Sequence, residues 1–150
     1  MRSYATLAEM EQDVGGAAAV SDWIEVTQRR IQLFADATGD HQWIHVDPER
    51  ARAGPFGTTI AHGFLTLSLL PEMAASAIEI RDVRMGVNYG LNKVRFPAPV
   101  PSGSRLRGHF TLVRFERLEG GAQLTYEVKM EREGSEKPVC VAESVGRRFT

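Results

Sequence analysis

His62–Ile78, which reads HGFLTLSLLPEMAASAI, decides the fold: it has helical length and is apolar on nearly every side. A surface helix keeps one polar face, so a helix this poor in polar residues has to be buried or wrapped by other elements. Pro71 stands near its middle and, lacking an N–H, should kink or break it. The material for wrapping it lies C-terminal. RDVRMGVNYGLNKVRF, SRLRGHFTLVRFERL, AQLTYEVKMERE and KPVCVAESVGRRF each alternate as strands do. In AQLTYEVKMERE, Leu124, Tyr126, Val128 and Met130 share one face, while Glu127, Lys129 and Glu131 take the other. PAPVPSG and EGGA supply turns between runs. The expectation is an α+β chain: helices first, then an antiparallel meander, with the 62–78 helix packed on a highly curved sheet. The outer face of that sheet is then either solvated or paired with another subunit.

Upstream, YATLAEMEQDVGG reads as a short helix with Leu7, Met10 and Val14 on one side, and AVSDWIEV reads as a strand. Thr27 suits the N-cap of QRRIQLFADAT, whose apolar stripe is Ile31, Phe34 and Ala35 and whose stop is Gly39. From Asp40 to Ile60 the periodicity fails. DPERA fits one helical turn capped by Asp47, with Pro48 at its first position, and AGPFGTT fits a loop.

A chain of 150 residues fits a single domain over 1–150 and is long enough for a real core. Hydrophobic residues at 43% and charged residues at 25% are ordinary for a globular protein. The net charge is −1 and the basic residues are scattered, which argues against a nucleic-acid partner. Cys140 is the one cysteine, so an internal disulfide and a Cys-rich zinc site are excluded; its apolar surroundings suggest a buried, unreactive thiol. The first residues lack the apolar core of a signal peptide, and no stretch approaches the ~20 apolar residues that span a bilayer. A soluble, cytoplasmic protein with no membrane partner is expected.

Three of the four histidines, His41, His45 and His62, fall in FADATGDHQWIHVDPERARAGPFGTTIAHGF, residues 34–64. His41 and His45 have helical spacing, but Gly39, Asp47 and Pro48 argue against a helix there, and the pattern matches no metal-ligand motif. No metal is expected. Taken singly, Asp40 reads as a turn residue and His45 as a loop histidine. Together they form a carboxylate and an imidazole five residues apart, able to converge on one water molecule. The carboxylate would accept that water's hydrogen bond, and the imidazole would act as base or acid near neutrality. AHGF then opens the apolar helix with a glycine, where unpaired N–H groups and the positive dipole end face outward. Such a place suits a developing oxyanion, for instance a polarised thioester carbonyl. Water activation beside an oxyanion site is the equipment for adding water to an α,β-unsaturated thioester.

ATGDHQWIHVD followed by AHGFLTLSLL resembles the signature of the MaoC-like, (R)-specific enoyl-CoA hydratases, in their short single-domain mycobacterial form. VNYGLNKVRFPAPVPSGSRL extends the resemblance over most of the chain. The hydratase motif runs small-Gly-Asp-x-Asn-Pro-apolar-His. Gly39, Asp40, Ile44 and His45 match it in register, whereas Gln42 and Trp43 replace the usual Asn and Pro. The resemblance implies a hot-dog fold, a long central helix wrapped by a curved antiparallel sheet, in a homodimer. It implies reversible hydration of a trans-2-enoyl-CoA to an (R)-3-hydroxyacyl-CoA, with the thioester of CoA, or alternatively of acyl carrier protein, as substrate and no cofactor. By the same resemblance Asp40 and His45 activate the water and the Gly63 amide holds the enolate-like oxygen. His62 fixes the turn before Gly63, and Ser68 stands near the carboxylate. Trp43 and Phe56 are candidates for lining an acyl channel. Asn92 and Arg95, with Asn88, Tyr89 and Lys93, offer polar groups after the helix, and Arg95 or Lys93 suits a CoA phosphate. Three other readings remain open. One is a hot-dog thioesterase using Glu72, another a 3-hydroxyacyl-ACP dehydratase subunit, and the third a non-catalytic acyl-binding partner. Retention of the Asp–His pair argues against the last.

Overall fold

The computed structural model describes residues 1–150. The chain opens with β1 (Arg2–Tyr4) and a 3-10 helix over Leu7–Asp13. The 3-10 form corrects the expected N-terminal helix. With three residues per turn, Leu7 and Met10 align on one buried side, and Val14 falls beyond the helix end in solvent. AVSDWIEV is likewise not one strand but two, β2 (Ala19–Val20) and β3 (Ile24–Val26). Between them the Ser21 hydroxyl accepts from the Gly108 amide at 2.8 Å and donates to the Asp22 carbonyl at 2.8 Å. A side chain thus takes a place that the ladder would otherwise hold.

Helix α1 (Gln28–Thr38) follows its caps: Thr27 Oγ1 accepts from the Arg30 amide at 3.1 Å, and the Gly39 N–H reaches the Ala35 carbonyl. Gly39 sits at φ 82°, a left-handed conformation that glycine adopts without strain. One turn of helix, α2 (Trp43–Val46), then forms where breaker residues argued against any, and α3 (Pro48–Arg52) follows with Asp47 capping Arg50 at 3.0 Å. The apolar segment is a pair of helices, α4 (Gly63–Ser68) and α5 (Leu70–Ala77), interrupted at Leu69 just before Pro71. Ile78 does not end a helix; it begins β4 (Ile78–Ile80), which pairs in parallel with β1. The long strands complete the chain: β5 (Met85–Arg95), β6 (Ser104–Leu118), β7 (Gly121–Arg132) and β8 (Cys140–Phe149). They run antiparallel in the order β2-β6-β7-β8-β5, with β3 also on β6.

Leu65, Leu69, Met73 and Ala77 make the buried side of α4 and α5. They pack with Val26 and Ile31, and with Leu106, Phe110, Val128, Met130 and Ala142 of the sheet. Each large apolar side chain fully buried there contributes about 1.5–3 kcal/mol. The inward set of β7 is the one the alternation gives: Leu124, Val128 and Met130 are buried, and Glu127 and Lys129 are exposed.

The wrapping covers one side of the helix only. Phe64 is 72% exposed, and Ser68, Pro71 and Ala75 are exposed with it. A groove of about 780 Å³ runs between this side and the sheet, bordered by Leu67, Leu70 and Ala74 and by Asn88, Gly90 and Ser144. Its far wall, β5, is the edge of the sheet, and Met85, Val87, Tyr89 and Leu91 are all more than two-fifths exposed. The expectation of an all-round buried helix therefore fails for a single chain. No helix is long and apolar enough to cross a membrane.

Candidate active site

His45 rides on α2, and that single turn is held from outside. Its carbonyl accepts from Gln28 Nε2 at 2.8 Å, and the Gln28 carbonyl oxygen in turn accepts from the Thr59 hydroxyl at 2.5 Å. The Ile60 amide donates to the Ile44 carbonyl at 3.0 Å. Residues 59–61 are themselves anchored, since Ala61 donates to the Val100 carbonyl (2.8 Å) and Ser102 to the Thr59 carbonyl (2.9 Å). The imidazole closes the arrangement: His45 Nδ1 lies 2.7 Å from the Ile60 carbonyl oxygen. A carbonyl only accepts, so Nδ1 carries the proton, and in the neutral ring Nε2 keeps a free lone pair. Burial of the ring, 6% exposed, pushes its pKa down. The stacked His62 adds to the lowering; the Ile60 bond and the Asp40 charge oppose it. Desolvation prevails, and His45 is a neutral base at pH 7.

Asp40 leaves α1 just beyond the left-handed Gly39, with its carboxylate in solvent and Oδ1 accepting from the Gln42 amide at 3.3 Å. Its own carbonyl is held by His62 Nε2 at 3.0 Å. The His62 ring is 2% exposed, stacks on His45 (centroids 3.8 Å apart, planes at 24°) and rests against Phe34 at 4.9 Å. The side-chain ligand atoms of Asp40, His45 and His62 all lie within 4.8 Å of one another. This is also where a metal would have to be held. Tetrahedral zinc needs lone pairs converging at about 2.0–2.2 Å. Stacked rings hold their in-plane nitrogens side by side instead, and two of those nitrogens already donate to carbonyls.

Gly63 begins α4, and its N–H, like those of Phe64 and Leu65, has no acceptor in the chain. A Cβ at Gly63 would stand 3.0 Å from the Phe96 ring, a tight approach that a side chain could make only by shifting that ring. Beside it lies a cavity of about 290 Å³ lined by Phe56, Ile60, Thr66 and Phe96, with Phe56 at its exposed rim.

The other candidates have different partners. Trp43 borders neither the groove nor this cavity. Its ring abuts Gly54 and carries the Arg50 guanidinium at 4.4 Å, bracing α2 on α3. Ser68 borders the groove and its hydroxyl donates to the Phe64 carbonyl at 2.7 Å. On β5, Asn92 bonds Glu143 at 2.5 Å, and Arg95 turns back to the Val94 carbonyl at 2.7 Å. His41 lies outside the cluster, exposed and paired with Asp36 at 2.9 Å, a bond that raises its pKa. Glu72 is an exposed partner of Arg30 at 3.1 Å. The structure thus gathers Asp40, His45 and His62 and adds Gln28, Thr59 and the Ile60 carbonyl, which the sequence reading missed. No local motif marks them; they matter only because residues 59–61 pair with 100–102.

The chain has relatives among known proteins over most of its length. A family model described as "MaoC like domain" matches residues 9–133. The chain is 56% identical over 148 residues to 3-hydroxyacyl-thioester dehydratase Z of Mycobacterium tuberculosis, covering 98% of each chain. It is 51% identical over 141 residues to nodulation protein N of Rhizobium leguminosarum bv. viciae, covering 91% of this chain and 87% of that one. Among solved structures it superposes on an (R)-hydratase of Pseudomonas aeruginosa with a TM-score of 0.73 at 25% identity, over 95% of this chain and 84% of the other.

Proposed function

The chain belongs to the MaoC-like dehydratase family, a hydro-lyase family of the hot-dog fold, and from that premise we propose that it reversibly hydrates trans-2-enoyl thioesters to (R)-3-hydroxyacyl thioesters. One observation carries the reading: the Ile60 carbonyl forces the proton of His45 onto Nδ1, leaving the Nε2 lone pair free on a ring that stands within 4.8 Å of the Asp40 carboxylate. In the hydration direction, Asp40 accepts a hydrogen bond from water and His45 Nε2 takes its proton. The water oxygen bonds to the β-carbon, and the electron pair of the double bond moves toward the thioester carbonyl. The unpaired N–H of Gly63 stabilises the resulting enolate oxygen. The proton then goes to the α-carbon, so that H and OH have been added and the pair is restored.

The relatives named for 3-hydroxyacyl thioesters and for (R)-hydration support this substrate and this handedness. We take CoA to be the carrier, the enzyme to be cytoplasmic, and the reaction to need no metal or other cofactor. We also take the working form to be a homodimer. Strand β5 hydrogen-bonds to β8 alone, and its bare apolar side chains, with those of α4, suit a second copy. Crotonyl-CoA mixed with the protein should lose its enoyl-thioester absorbance without releasing thiol. Thiol release with the double bond intact would assign a thioesterase instead. Asp40→Asn and His45→Gln should each slow turnover by at least ~10²-fold, and near-normal rates in both would remove them from the mechanism.

A further inference from the structure

His62 adjoins each of the three residues assigned to the chemistry. Its Nε2 lies 3.0 Å from the main-chain oxygen of Asp40, its face lies on His45 at 3.8 Å, and its own backbone leads into Gly63. A carbonyl only accepts, so Nε2 bears the proton and Nδ1 the lone pair. That lone pair is buried, and nothing in the chain donates to it. Its side chain makes no cap bond either, although a helix start is ordinarily served by Ser, Thr, Asp or Asn. Simple capping therefore does not account for a histidine here. We propose that His62 is a positioning residue, which locks the Asp40 main chain, the His45 ring and the Gly63 turn into one rigid unit. The inference rests on the hydratase reading of the site.

The stack also bears on charge. Only two charged or titratable groups face His45: Asp40 from the segment after α1, and His62 from the start of α4. Helix α1 presents the Gln28 amide, and residues 59–61 present a hydroxyl and a carbonyl, none of which titrates. A proton on His62 would repel the proton that His45 takes from water.

Two substitutions separate the contributions. His62→Gln keeps an amide donor for the Asp40 carbonyl and loses the ring face. His62→Phe keeps the face and loses the donor and the neighbouring titratable group. Both should lower kcat by about 10- to 100-fold with little change in KM, because His62 moves other groups rather than touching substrate. Burial is the main cause of the lowered His45 pKa and His62 a lesser one, so the acid limb of the pH profile should rise slightly in His62→Phe. Should the variants not fold, imidazole nitrogen NMR of the unaltered protein serves instead. His62 should carry a proton on Nε2 and His45 one on Nδ1, with His45 titrating below 6.5. A His62 carrying its proton on Nδ1, or variants with normal kcat and pH profile, would overturn the proposal. Failure of the unaltered protein to hydrate any enoyl-CoA, with these NMR signatures intact, would instead refute the functional reading alone.

Discussion

Replacing Gln28 with Leu tests whether the base is held from outside its own turn. Leucine sustains a helix as well as glutamine, so α1 should survive. Two hydrogen bonds disappear, Gln28 Nε2 to the His45 carbonyl at 2.8 Å and the Thr59 hydroxyl to Gln28 Oε1 at 2.5 Å. Each is worth about 1 kcal/mol net, and the Thr59 hydroxyl, stranded in a residue 2% exposed, adds at least ~1 more. A loss of about 3 kcal/mol should lower Tm by about 6–12 °C in a chain of this size. The rate should fall further than stability explains. At 25 °C, with the fold intact by circular dichroism, kcat on crotonyl-CoA should drop at least ~10-fold as the base loses its register. Adding Thr59→Val removes the stranded hydroxyl, so the double variant should regain about 1 kcal/mol of stability and none of the rate. A single variant with unchanged Tm and kcat would refute the reasoning, and so would a double variant that recovers activity.

Hydration should fail on the acid side only below pH 6.5, because burial holds the His45 pKa under that value and the base must be neutral; a pH series of kcat/KM checks this. The same depressed pKa makes the stability contribution of His45 complete above 6.5 and lost as pH falls through its folded value, which melts between pH 7.5 and 5 should register. Gly39→Ala meets no atom within 4 Å and is strained only by its φ of 82°. It should lower Tm by about 2–8 °C, through roughly 1–2 kcal/mol, and slow turnover by shifting the adjoining Asp40. Glu72→Gln breaks an exposed ion pair and should leave hydration and stability within about 1 kcal/mol of normal; a collapse in either would return Glu72 to the chemistry. Prolonged EDTA treatment should leave turnover unchanged, and a loss reversed by zinc would reinstate the metal reading of Asp40, His45 and His62.

Where local chemistry decides structure, the sequence was legible. Thr27 and Gly39 bound α1 as their side-chain and backbone preferences require, Pro71 marks the interruption of the apolar helix, and the alternation of Leu124, Val128 and Met130 gives the buried face of β7. Asp40 and His45 were legible as a pair because the segment between them is short. What escaped depends on distant partners. Strands β1 and β4 have three residues each, too few for a period, and exist because they meet. The α2 turn forms despite nearby breakers because Gln28 and Ile60 hold it. The contacts of Trp43 with Gly54 and Arg50 escaped too, because an aromatic side chain in a loop does not disclose its partners. Register shifts in β5, between Asn88 and Gly90 and again between Leu91 and Lys93, blur a pattern that two-residue alternation would otherwise show.

The open edge of β5 also makes abundance a variable of this protein. Met85, Val87, Tyr89 and Leu91 cover themselves, in the proposed dimer, only when another copy is at hand, so the protected fraction rises with the number of molecules per cell. Output should then grow faster than expression at low copy number and in proportion to it at high. A scarce chain, meanwhile, carries an unpaired strand that other unfolded or partly folded chains can extend. Dosage, in such a protein, sets quality as well as quantity.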